Sequence, residues 1–104
     1  METTEVSKIA RLNDAFRKSG EGITVTQGVQ ALEDLIGLID EIRLFNDFSK
    51  DNDPYGEHDF GTVYWYGEKV FWKLDYYDQS LKYGEDPLSP KCRRVMTVML
   101  ASEY

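Results

Sequence analysis

The chain has 104 residues, 41% of them hydrophobic and 13% aromatic, and a formal charge of −7. That length holds one domain with one core, and the apolar content is too high for an intrinsically disordered chain. An acidic surplus of this size repels phosphate backbones and anionic headgroups, which disfavours direct nucleic-acid binding and membrane binding.

The surplus is unevenly placed. Residues 1–46 carry eight acids and five bases, residues 47–86 ten acids and four bases, and residues 87–104 one acid and three bases. The middle segment therefore has a local net of −6, which fits a protein partner with a basic surface, or a cation. The single cysteine, Cys92, cannot form an internal disulfide. No signal-like apolar run follows the polar start, and no run is long enough to span a bilayer. The expected setting is the cytoplasm, and no cofactor is implied.

In chain order, Val6, Ile9, Leu12 and Phe16 recur at helical spacing and predict an amphipathic helix over 4–18, with Lys8, Arg11, Asp14 and Arg17 off the stripe and glycines at 20 and 22 to stop it. Ile23 to Gln27 alternates apolar and polar residues as a short strand does. Leu35, Ile36, Ile39, Ile42 and Phe45 mark a second helix over 32–46. Residues 47–58 crowd Asp, Asn, Pro and Gly into a loop. Residues 59–66 and 69–77 are rich in β-formers around Gly67-Glu68, which predicts a tight hairpin with Gly67 first in the turn. Pairing Tyr66 with Lys69 then sets Trp65 against Val70, Val63 against Trp72 and Gly61 against Leu74 on an apolar core face. The opposite face pairs Tyr64 with Phe71, Thr62 with Lys73 and Phe60 with Asp75. After a polar loop over 79–88, Ser89-Pro90 has the form of a helix start. Val95, Met96, Met99 and Leu100 supply a stripe for a last helix over 90–103, although Val95, Thr97 and Val98 also suit a strand. The expected architecture is a single α+β domain over 1–104: a small antiparallel sheet, made of the hairpin 59–77 and a short strand near 23–27, packed with three helices.

The run Asp51-Asn-Asp-Pro-Tyr-Gly-Glu-His-Asp-Phe-Gly61, preceded by Asp47-Phe48, is distinctive. Together with Val70-Phe-Trp-Lys-Leu-Asp-Tyr-Tyr-Asp78, Glu85-Asp-Pro87 and Arg94 to Tyr104, it resembles the DUF 3768 family of small bacterial proteins. Ile9 to Phe16 and Thr26 to Val29 also match that pattern. The resemblance implies a bacterial, cytosolic protein, in a mobile-element setting, and it carries over no catalytic residue because the family has no assigned reaction.

The acidic loop places Asp51, Asp53, Glu57, His58 and Asp59 within nine residues. Three readings stand. A hard cation would take Asp51, Asp53 and Asp59 as ligands; counted from Asp51, acids fall at calcium-loop positions 1, 3 and 9 with Gly56 at 6, but position 5 is Tyr55 and position 12 is Thr62. The same residues can instead build the loop by capping its amides. Finally, His58 could act as general base with an Asp orienting it and Asp59 nearby, though no nucleophile lies at triad spacing. Beyond the loop, Asp75 and Asp78 close a strand, and Tyr64, Phe71 and Lys73 lie on the outer hairpin face, where aromatic residues suit a protein interface. Tyr55 completes this set of contact residues. Cys92, beside Lys91, Arg93 and Arg94, reads as a packed thiol. The expected function is binding or regulation by protein contact, in its sharper form an inhibitor that occupies a nucleic-acid site on a basic partner, as a mobile-element anti-defence protein would. The alternatives are a small metal-assisted hydrolase centred on Asp51–Asp59, or a structural, oligomer-forming module.

Overall fold

A computed structural model describes residues 4–104. Helix α1 (Glu5–Ser19) starts at Thr4, whose hydroxyl accepts from the Ser7 amide while Ser7 reaches back to the Thr4 amide, and it ends at Gly20 in the left-handed conformation. Strand β1 (Ile23–Val25) follows, then the single turn α2 (Gln27–Gln30), capped by Thr26. Helix α3 (Leu35–Arg43) is capped by Asp34, whose carboxylate accepts from the Gly37 amide at 3.1 Å. Strands β2 (Phe60–Trp65), β3 (Glu68–Tyr77) and β4 (Arg93–Leu100) and a short 3₁₀ turn (Ala101–Glu103) complete the chain.

The sheet order is β1-β4-β3-β2, with β1 parallel to β4 and the other pairs antiparallel. The fold is α+β, as expected, but its sheet is mixed rather than antiparallel. The segment 90–103 is a strand, not a helix. Val95, Met96, Met99 and Leu100 fit helical spacing as well as strand alternation, and pairing decides between them: β4 is bonded on both edges, and Met96 and Val98 are fully buried. Ser89-Pro90 sits instead in a turn, where the Cys92 amide donates to the Ser89 carbonyl at 3.0 Å. The helix expected over 32–46 is shorter because Asp34 starts it and Leu44 ends it, and the strand near 23–27 stops at Val25 because Thr26 caps α2.

The hairpin turns through Tyr66 and Gly67, at φ 48° and 82°, so Gly67 takes the second turn position rather than the first. Trp65 consequently faces Glu68, Tyr64 faces Lys69, Val63 faces Val70 and Gly61 faces Trp72. The expected pairs slip by two residues. A slip of two keeps every side chain on its face, so Gly61, Val63, Trp65, Val70, Trp72 and Leu74 share the core face as anticipated.

That core joins Trp72, Val70, Leu74, Met96 and Val98 to Val29, Leu38 and Ile42 from the helices. Gly61 is where the Trp72 indole lies: a methyl group there would collide with the indole nitrogen and its ring neighbours. Gly61→Ala is expected to destabilise by about 1–3 kcal/mol through overpacking. Gly67→Ala, which meets no neighbouring atom, should cost only the strain of positive φ, about 1 kcal/mol. Urea denaturation ranks the two, and equal costs would refute the packing argument at Gly61.

Candidate functional site

The acidic loop is anchored to α1 by side chains that point into the fold. Arg17 is only 1% exposed. Its Nε donates to the Ile42 carbonyl at 3.1 Å, one Nη to the Phe45 carbonyl at 2.9 Å and the other to Asp14 at 3.0 Å. The guanidinium lies 5.4 Å from the Phe48 ring centre and 5.0 Å from that of Trp72, a pairing of cation and ring face that is strong when desolvated.

Asp14 carries the connection outward. Both of its oxygens lie 3.0 Å from His58 Nδ1, which donates to them. His58 Nε2 lies 3.6 Å from Asp53, and the His58 amide donates to the same carboxylate at 3.3 Å. The imidazole stacks on Phe48 at 3.8 Å between centres and 3° between planes. His58 holds φ 57°, a left-handed conformation costly for a non-glycine residue, and the contacts on both sides of its ring maintain it.

A second anchor runs beside the first. Buried Asn13 donates to the Glu57 carbonyl and to the Tyr76 hydroxyl, both at 2.9 Å, and accepts from Arg94 at 2.7 Å. Arg94 also donates to the Pro87 carbonyl at 2.7 Å and lies over the Tyr76 ring. Burial pushes the Tyr76 phenol up to about 12, so it stays protonated at neutral pH. Burial, with repulsion from neighbouring acids, also raises the pKa of Glu57 and of Asp59.

The expected site residues thus fall into separate groups. Asp53 and His58 meet and line an open depression of about 480 Å³ together with Phe48, Ser49 and Tyr55. Asp51 is exposed and lines a different cavity with Phe60, Tyr64 and Lys69. Asp59 joins the hairpin through its carbonyl, which accepts from the Leu74 amide at 2.8 Å. Among the described residues, no group of three or more His, Cys, Asp or Glu is placed to hold a metal ion. On the outer sheet face, Lys73 contacts Asp75 at 3.4 Å, and Phe71 packs with Phe60 and Tyr104. Asp78 builds its own turn: bonds from Ser80 and from the Lys82 amide hold its carboxyl below the usual range. Cys92 is half-buried, and burial pushes its thiol up.

Residues 25–103 match the family described as "Protein of unknown function (DUF3768)". The chain belongs to the DUF3768 family. The DUF3768 match takes in β2, β3 and β4, α3 and the acidic loop, reaches only the last residue of β1, and leaves Asn13, Asp14 and Arg17 before it. No curated protein and no solved structure matches the chain. The α1 anchors escape a reading by hydropathy because they are polar, yet Ile9, Asn13 and Arg17 recur at four-residue spacing and share one helix face.

In this arrangement His58 holds the loop: one ring nitrogen donates to Asp14, and the other lies 3.6 Å from the Asp53 carboxylate, itself 6% exposed. Arg17→Ala is expected to cost about 3–5 kcal/mol, and Arg17→Lys to recover little, because a point charge cannot serve three acceptors in a plane; full recovery by lysine in thermal denaturation would contradict this. Glu57 and Asp59 keep their protons to higher pH in the folded chain than in the unfolded one. Folding therefore gains stability as pH falls through the raised values, a gain complete below the ordinary carboxylate range of about 4. Glu57→Gln and Asp59→Asn should stabilise the fold at neutral pH and lose that advantage on acidification, measured as urea midpoints; an advantage that grew in acid would contradict the sign.

Proposed function

We propose that this protein acts by contact, engaging a basic protein surface through its acidic loop. The observation that carries this reading is the division of labour within the loop. His58 and Asp53 face inward and are bonded to the fold, while Asp47, Asp51 and the 80%-exposed Tyr55 face solvent on the same segment. A segment held by its buried side presents its exposed side with little ordering cost on binding. Exposed acids add charge complementarity to a basic partner, which speeds association and sets specificity. Exposed tyrosine is a residue type enriched at interface centres.

The test compares proteins captured from lysate on the immobilised wild-type chain with those captured on the double variant Asp51→Lys/Tyr55→Ala. Capture by the wild type should weaken as salt rises and should fail on the folded variant. An identical set of captured proteins on both would refute the reading.

A further inference from the structure

The acidic loop borders an unfilled sheet edge. Strand β2 lies at one end of the sheet, paired on one side only. The Leu74 amide donates to the Asp59 carbonyl in the register that pairs Gly61 with Trp72 and Val63 with Val70. Antiparallel strands exchange hydrogen bonds at every second pair. Gly61, Val63 and Trp65 therefore bond to β3, and the N–H and C=O groups of Phe60, Thr62 and Tyr64 point away from the sheet. Among the described residues, none of these outward groups has a hydrogen-bond partner.

Two cavities of about 320 and 450 Å³ lie along this edge and share Asp47, Thr62 and Tyr64. Glu41 and Asp47 line the first, and Asp47, Asp51 and Lys69 the second, so three acids face the groove against one base. Leu44, 76% exposed, and Tyr64, 72% exposed, supply apolar surface. A bare edge is a template for another strand, and soluble proteins blunt theirs with bulges, prolines or inward charges. Here the six residues of β2 run without proline for about 20 Å.

We infer that β2 takes up an extended basic peptide segment of a partner protein, as an added antiparallel or parallel strand in the groove between Phe60–Tyr64 and the Leu44–Asn52 segment. Backbone bonds from Phe60, Thr62 and Tyr64 supply affinity, and Glu41, Asp47 and Asp51 select lysine or arginine on the added strand. The inference rests on the contact reading above and specifies its binding mode.

The experiment selects binders from a displayed library of random peptides about twelve residues long, enough to span the edge. Enriched sequences should be rich in Lys and Arg. Their affinity should fall about tenfold or more when alternate peptide amides are N-methylated, with the wild-type chain as target. Thr62→Pro, which removes an outward N–H that β3 does not use, should weaken binding to a similar degree, and the Phe60, Thr62 and Tyr64 amides should gain hydrogen-exchange protection on binding. Salt-sensitive binding that ignores both N-methylation and Thr62→Pro would overturn the strand-addition mode and leave the contact reading standing. Enrichment of no basic peptide would overturn it too, with lysate capture deciding the contact reading separately. Self-association in sedimentation that Thr62→Pro disperses would assign the edge to a second copy of this chain and likewise overturn the proposal.

Discussion

The buried guanidinium of Arg17 is the interaction on which the rest of the structure depends. A charge removed from water costs several kcal/mol unless each of its donors finds a partner. Here the partners come from three directions: Asp14 on the same helix, the Ile42 carbonyl near the end of α3, and the Phe45 carbonyl beyond it. The last carbonyls of a helix have no partner within it. Arg17 adds a donor at the Ile42 carbonyl, which also accepts from the Phe45 amide, while the Phe48 and Trp72 rings lie 5.4 and 5.0 Å from its guanidinium. One side chain thereby ties α1 to α3 and places both against the sheet.

The loop's geometry follows from the same anchor. With the Phe45 carbonyl held by Arg17, and the Phe45 and Phe48 rings edge-on to Trp72, the segment leaving α3 has its apolar side fixed inward. Leu44, Asn46 and Asp47 are left on the opposite side, exposed and facing β2. Phe48 also forms the floor on which His58 stacks, so the left-handed turn at His58 is set by packing and by Asp14 together. The groove beside β2 is then a consequence of how α3 ends: a chain drawn toward the core at Phe45 and Phe48 does not lie down along the sheet edge.

Much of this was legible in the sequence wherever apolar spacing carried the information. The hairpin's core face was readable residue by residue, and its pairing slipped only because Tyr66, not Glu68, shares the turn with Gly67. A tyrosine at positive φ is a tertiary outcome that turn preferences do not favour. Spacing alone does not settle the last strand because its apolar residues satisfy two periodicities, and the neighbours that choose between them, β1 and β3, are separate segments of the chain. Loop building is one of three readings that the loop's composition allows, but its anchors are not legible there: hydropathy only sets Asp14 and Arg17 off the apolar stripe of α1, and Arg94 stands only as a charge near Cys92. Buried polar residues reveal themselves through what they bond, and the partners that tie these three to other elements, Ile42, Phe45, His58 and Asn13, are 25 to 81 residues distant.

The net charge is the feature that the fold most changes in meaning. As a sum, −7 describes an acidic body that repels anything anionic. In space the charges separate. Among the strand residues that face away from the helices, Lys69, Lys73 and Arg93 are opposed by Asp75 alone, because the acids of the middle segment sit mainly in the loops before and after the hairpin. At physiological salt, exposed charges act over about 8 Å, so a ligand responds to the groups near it rather than to the total. A basic strand laid along β2 would meet Asp47, which both cavities share, Glu41 in one and Asp51 with Lys69 in the other. The charge it responds to is that of the groove, three acids against one base, rather than the sum over the chain.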